Sequence, residues 1–219
     1  MLTVVPQMST SCRRFHVDAF LKAALSRMHG RVLDIGGKKV RPRGKFRPPL
    51  QAVDHWEYLN IDRSTEPDYC CDAESMLIPS ERFDCFLLIE VLEHVMSPEK
   101  VISEAHRVLK HGGHGYVAMP FMYPVHADPH DYQRWTSERL TREFVQAGFS
   151  EIKIEPMGGA FSVIFDVLWT LSWRTENVLA RRLGLFVLRL IKPLALLADR
   201  VMPGMSSYVT TGWGLTARK

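Results

Sequence analysis

Residues 31–37 read RVLDIGG, and the reading of this stretch decides the fold. Val32, Leu33 and Ile35 are branched apolar residues suited to a buried strand, and Gly36-Gly37 end it. Glycine accepts a positive φ without steric penalty and lets a ligand approach the backbone closely. A strand running into such a turn is how doubly wound α/β sheets open a ligand site at their carboxyl edge. Asp34 lies in the strand and Asp62 closes the next apolar run, YLNID. An acidic group at that edge accepts both hydrogen bonds of a ribose diol. Nicotinamide-binding proteins share this geometry, so the rest of the chain has to discriminate.

Before the stretch, residues 1–13 show no periodicity and read as a frayed end, whereas Phe15–His29 repeats its apolar positions at helical spacing up to Gly30. After it, Lys38–Pro49 (KKVRPRGKFRPP) holds six basic residues and no acid. Its prolines and Gly44 rule out a long helix, leaving a solvated loop or an anion-attracting lip beside the ligand mouth. Strands are predicted at Tyr58–Asp62, Tyr69–Cys71 and Phe83–Ile89, the last a continuous apolar run typical of a central parallel strand. Ser97-Pro98-Glu99 opens a helix that stops at Lys110–Gly113, and Gly115–Met119 reads as the next strand. Thr136 caps a helix over Ser137–Ala147, followed by strands at Glu151–Glu155 and within Tyr208–Arg218. This alternation implies a doubly wound, Rossmann-like α/β fold: a mainly parallel sheet, an antiparallel C-terminal strand, and a helical insertion before that strand. One domain over 1–219 is expected, with an N-terminal helical segment (1–30), a cofactor-binding core (31–156), an apolar helical insertion (157–205) and a terminal strand (206–219).

Composition agrees with a globular chain: 219 residues, 46% hydrophobic, without repeats or low-complexity tracts. A net charge of +4 is too mild to indicate nucleic acid as a partner. The four cysteines lack CxxC spacing and read as reduced thiols, so a cytoplasmic protein is expected.

Five stretches, taken together, resemble the class I S-adenosylmethionine-dependent methyltransferases of the methyltransferase domain 11 type: VLDIGG (32–37), NID (60–62), DAESMLIP (72–79), FDCFLLIEVLEHV (83–95) and RVLKHGGHGYVAMP (107–120). The resemblance implies S-adenosyl-L-methionine as cofactor. It implies that Gly36 and Gly37 close on its methionine portion with Asp34 orienting it, and that Asp62 accepts the ribose hydroxyls. Asp72, beside Ala73, takes the adenine amino group, with Leu77 or Ile78 flanking the ring. Glu90 and Val91 line the floor under the sulfonium, and Glu93-His94 is a cofactor-side or structural pair. One departure stands out. Gly37 is followed by Lys38-Lys39-Val40 where the family has a third glycine, and the basic loop stands where the family has a helix.

A second cluster follows the strand at 115–119. His126, Asp128, His130, Asp131, Tyr132, Arg134 and Trp135 crowd into eleven residues ending at Thr136. The segment resembles an HxDPxDYxRxT pattern found in a subset of these enzymes. His126 can serve as a base toward an acceptor hydroxyl, Arg134 can hold a carboxylate or phosphate, and Tyr132 or Trp135 can stack on substrate. In the structural alternative, Asp131 pairs with Arg134 while Asp128 and Thr136 cap turns. No metal is expected, because His126, Asp128 and His130 in a proline loop form no recognised ligand spacing.

The insertion is apolar but too charged for a comfortable membrane span. Placed at ~100° per residue, Arg174, Arg181, Arg182, Arg189, Lys192, Asp199 and Arg200 fall within an arc of roughly 100°. The remaining face is apolar: Leu183, Phe186, Val187, Leu190, Ile191, Leu194, Leu197 and Ala198. Such a helix lies in a membrane interface, packs as a lid, or pairs with a second copy. The expected activity is therefore methyl transfer to a small-molecule or lipid-linked acceptor, at oxygen, by a cytoplasmic or peripheral inner-membrane protein. The competing class is a non-catalytic methyltransferase-like module that binds membrane or protein.

Overall fold

A computed structural model describes residues 11–40, 44–205 and 208–219. Helix α1 spans Cys12–Ala24, and Ser11 caps it, its hydroxyl accepting the Arg14 N–H. The expectation of a frayed segment to residue 13 is corrected for its last three residues, since Ser11, Cys12 and Arg13 are buried; positions 1–10 lie outside the described residues, as do 41–43 of the basic loop.

Strands β1 (Arg31–Ile35), β2 (His55–Leu59), β3 (Phe83–Ile89), β4 (Leu109–Pro120), β5 (Ser150–Met157) and β6 (Gly212–Arg218) form one sheet in the order β2-β1-β3-β4-β6-β5. The first four are parallel and β6 runs antiparallel to both neighbours. The anticipated fold class is the observed one: mostly parallel, antiparallel at its C-terminal strands, with helices on both faces and inserted before β6.

Three boundaries differ from expectation. Strand β2 ends three residues before Asp62, because the Asn60 side chain turns back to donate to the Gly36 and Gly37 carbonyls. Tyr69–Cys71 contributes only a single parallel bridge, Tyr69 to Leu59. Lys110–Gly113 stays in the sheet as the start of β4.

Helices α2 (Pro98–Val108) and α3 (Ser137–Gln146) cover one face, burying Val101, Ile102, Leu140 and Phe144 against Leu33, Phe86 and Val117. On the other face α1 packs Val17, Phe20 and Leu21 over Val32, Cys85, Leu87 and Tyr116. It occupies the side that the loop after β1 does not cover with a helix among the described residues.

The insertion forms a hairpin of α4 (Ala160–Arg174) and α5 (Val178–Val201). Asp199 of α5 accepts the N–H groups of Gly159, Phe161 and Ser162, which caps α4. Asp166 of α4 accepts those of Cys12 and Arg13, in the first turn of α1. Lys192 reaches the Ser11 carbonyl at 3.0 Å. So Lys192 and Asp199, which periodicity places in the charged arc, turn inward beside Leu185 and Leu188. The apolar face turns outward: Leu183, Phe186, Leu190, Leu194 and Leu197 are exposed on α5, and Ile164, Val167, Leu168 and Leu171 on α4. Among the described residues no helix is long and apolar enough to cross a membrane.

Arg13 carries the insertion's anchorage into the sheet. Its guanidinium meets the Glu90 carboxylate at 2.5 Å, with Arg13 1% and Glu90 7% exposed. Removing one partner of such a pair strands the other charge away from water. Arg13→Met is expected to lower unfolding free energy by about 3–5 kcal/mol in urea titrations. Arg13→Met combined with Glu90→Leu should cost distinctly less than either single change; equal or additive losses would contradict the pairing.

Candidate active site

The glycine turn sits at the carboxyl ends of β1 and β3. Gly36 has φ +77°, and a Cβ there would meet Val91 Cγ2 at 2.5 Å. A Cβ on Gly37 would fall 2.3 Å from the Asp34 carboxylate carbon, so that carboxylate lies tucked under the turn. The third glycine of the pattern is not needed to keep the turn tight, because Asn60 clamps both carbonyls from below.

Asp34 lies deep and opens onto a cavity of about 100 Å³, shared with Gly36, Lys38, Phe46, Tyr58 and Glu90. Burial pushes its pKa up to about 7, against a smaller opposing effect of the Trp56 side chain. That cavity is below the ~300–1,000 Å³ of a typical small-molecule pocket. A nucleoside-sized ligand would have to extend beyond it, along the open sheet edge.

Along that edge stand Asp62 and Asp72. Asp62 is exposed and caps a short 3-10 turn, its Oδ1 accepting the Ser64 N–H at 2.9 Å. The Ser64 side chain first, and this backbone N–H second, lower its pKa. Asp72 is exposed and its Oδ1 accepts the Glu74 N–H at 2.9 Å. Both carboxylates stand exposed at the surface. Ala73 and Ile78 are buried in the core, while Leu77 is 82% exposed.

Glu90 departs from a floor residue. It has φ 56°, and its carboxylate is committed to Arg13. Despite the desolvation that opposes it, this guanidinium keeps the carboxyl below its ordinary pKa. Only its backbone and the neighbouring Val91 present themselves to the turn. Arg13 was missed in the sequence because one of two adjacent arginines in the first turn of a helix carries no signal of burial.

The second cluster folds over the same edge. Asp131 forms a bidentate pair with Arg134 and accepts the His126 backbone N–H at 2.9 Å. This engages Arg134 structurally and, with burial opposing, holds Asp131 down to about 2. Trp135 is placed in the core rather than at the mouth; its indole donates to Gln133 and its carbonyl accepts from Trp213. Tyr132 stays half exposed beside His130, with ring centroids 5.1 Å apart. Lys38 reaches across to Asp128 at 3.7 Å, tying the basic loop to this segment.

His126 approaches Glu93 at 3.5 Å through Nε2 and the Pro124 carbonyl at 3.2 Å through Nδ1. Burial alone would lower its pKa, but the Glu93, Glu90 and Asp131 carboxylates outweigh it and hold the imidazole above its ordinary value. Glu93 itself is fully buried, and neither of its oxygens has a hydrogen-bond partner among the described residues. Beside His126, Tyr123 packs edge-on with centroids 5.2 Å apart. It lines an apolar groove of about 380 Å³ with Met122, Pro124, Val163, Val167 and Leu171.

Residues 49–117 match the sequence model of a methyltransferase domain family. No curated protein sequence matches the chain. Among solved structures, an S-adenosylmethionine-dependent methyltransferase from Archaeoglobus fulgidus is similar with a TM-score of 0.60 and 18% identity, covering 94% of both chains. The [4+2]-cyclase SpnF gives 0.59 and 20% identity, over 92% of this chain and 81% of its own. Phosphoethanolamine N-methyltransferase 2 of Haemonchus contortus, solved with S-adenosyl-L-methionine, gives 0.56 and 18% identity over 92% of this chain and 52% of its own. Relatives on this fold thus include N-methylation and cyclisation, and the fold leaves the reaction to the site.

The Asp34 environment has a pH signature. Its folded pKa of about 7 lies above the ordinary 3.8, so between those values the folded state holds a proton that the unfolded state has lost. Stability therefore falls as pH rises through this window. Asp34→Asn should gain on the parent between about pH 4 and 7 in urea midpoints, then hold a constant lead. Parallel pH profiles would contradict the placement of this carboxylate.

Proposed function

We propose that the protein methylates an oxygen of a small acceptor group carried on a lipid, a reading supported by the match of residues 49–117 to a methyltransferase domain model and by a fold similar to that of an S-adenosylmethionine-dependent methyltransferase. The donor set at the sheet edge fits the cofactor. Gly36 and Gly37 leave the backbone approachable, Asp34 offers a carboxylate toward a cationic amino group, and the exposed Asp62 and Asp72 carboxylates are acceptors for a diol and an amine. When bound, S-adenosylmethionine supplies a methyl group on a sulfonium, whose transfer needs mainly in-line positioning and exclusion of water. Val91 and the Glu90 backbone close the cofactor side, and the loop at Met122–Asp131 closes the acceptor side, with Tyr132 exposed for contact with substrate.

The observation that carries the acceptor class is the apolar groove. It begins beside His126 and ends at Val167 and Leu171, which belong to the outward apolar face of α4. A polar head reaching the cluster around His126 leaves an aliphatic tail in that groove, continuous with a hairpin face suited to the membrane interface. Arg181, Arg182, Arg189 and Arg200 border that face as cations for anionic headgroups.

Calorimetric titration tests the cofactor half. S-adenosylhomocysteine should bind in the micromolar range, and Asp62→Ala should weaken it by about 1–3 kcal/mol. A folded protein that binds neither it nor S-adenosylmethionine would favour the non-catalytic interaction module. Flotation tests the membrane half: the protein should rise with anionic vesicles at low salt, and Leu190→Glu with Leu194→Glu should release it. Parent protein that stays in the bottom fraction overturns this half.

A further inference from the structure

We infer that Glu93, His94 and His126 form a binding site for one first-row divalent cation, at the junction of the glycine turn and the apolar groove. Their ligand atoms lie within 4.8 Å of one another. A tetrahedral ion with bonds of about 2.1 Å sets its ligands about 3.4 Å apart, close to the 3.5 Å between Glu93 Oε1 and each imidazole, so binding needs only the two imidazoles to draw together, by up to about 1.4 Å.

The hydrogen bonding dictates what these atoms can do. His94 Nδ1 lies 2.5 Å from the His130 carbonyl, and His126 Nδ1 lies 3.2 Å from the Pro124 carbonyl. A carbonyl only accepts, so both Nδ1 atoms carry the hydrogen and both Nε2 atoms present lone pairs. Both Nε2 atoms face Glu93 Oε1, each at 3.5 Å. In these neutral tautomers three acceptors converge with no hydrogen between them, and the Glu93 carboxylate, 0% exposed, has no hydrogen-bond partner among the described residues. Leaving a buried carboxylate unmatched is costly; a cation at the centre satisfies all three atoms at once. Imidazoles that give their second N–H to backbone carbonyls are also the second-shell arrangement of metal-ligating histidines. Two imidazole nitrogens and one carboxylate oxygen favour zinc, iron or manganese over magnesium or calcium, and they leave coordination positions open.

The placement follows from topology. Glu93 and His94 stand just past the carboxyl end of β3, two residues beyond the Val91 that packs on Gly36; His126 stands past the end of the adjacent β4. Resting on the methyl-transfer reading, the ion's open position takes the acceptor hydroxyl and makes its proton easier to lose to water. The oxygen's electron pair then forms the C–O bond as the methyl–sulfur bond breaks and its pair returns to sulfur, leaving a neutral thioether.

The test is direct binding of Zn²⁺ to the full chain after chelator treatment, read by calorimetry without cofactor or acceptor. One Zn²⁺ per chain is expected, with Glu93→Gln and His126→Ala each weakening it at least 10–100-fold, the effect of losing even an outer-shell partner. Co²⁺ should give a visible absorption band that His126→Ala shifts or removes. If Glu93→Gln does not fold, His126→Ala on its loop carries the test. No Zn²⁺ binding, or affinity unchanged by His126→Ala, overturns the site. Because S-adenosylhomocysteine is titrated separately, loss of the metal with that ligand still bound refutes the cation alone. The reverse result refutes the cofactor reading alone.

Discussion

The buried pair between Arg13 and Glu90 is the constraint on which the rest of the molecule depends. It joins the first turn of α1 to the residue that ends β3 in a left-handed conformation, which non-glycine residues rarely adopt. A desolvated pair is tolerated only when its remaining polar atoms are occupied. Here Arg13 also donates to the Met157 sulfur and fills the space beside Gly212, where a Cβ would come within 2.5 Å of Nη1. One guanidinium thereby fixes α1, β3, β5 and β6 around the sheet edge where the glycine turn lies.

From that point a chain of buried acids runs outward. Asp166 holds the Cys12 and Arg13 N–H groups, and Asp199 holds the start of α4. Burial pushes Asp166 up to about 7 in spite of those two N–H groups. The hairpin is attached by its polar residues, and its apolar residues are what remain to face outward. This inversion of the usual arrangement joins the α4–α5 surface to the groove beside Tyr123. Position, rather than any single reactive side chain, is what the architecture controls, as suits a reaction whose electrophile arrives already activated.

The order of strands and helices was legible because RVLDIGG, FDCFLLI and the capped helices after Ser97 and Thr136 obey local rules of burial, turn and cap. The cofactor edge was legible in residue type, less so in placement. Asp62 falls past the strand because Asn60, an unremarkable amide in the sequence, bonds the glycine turn. Arg13, Asp166, Lys192 and Asp199 were illegible as anchors, since their partners lie as much as 181 residues away and periodicity sorts charge to solvent by default. Trp135 carries the same lesson: an aromatic in a polar segment looks available, yet Gln133 and Trp213 draw it into the core. The convergence of Glu93, His94 and His126 arises only when two loops at adjacent strand ends meet.

The most direct test of the central claim is the fate of a labelled methyl group. Incubating the protein with methyl-labelled S-adenosylmethionine and total membrane lipid, then partitioning between organic solvent and water, separates lipid-linked from free acceptors. The account predicts label in the organic phase as an alkali-resistant methyl ether or an alkali-labile methyl ester of a lipid. Label confined to water-soluble acceptors, with none in the organic phase, would contradict it.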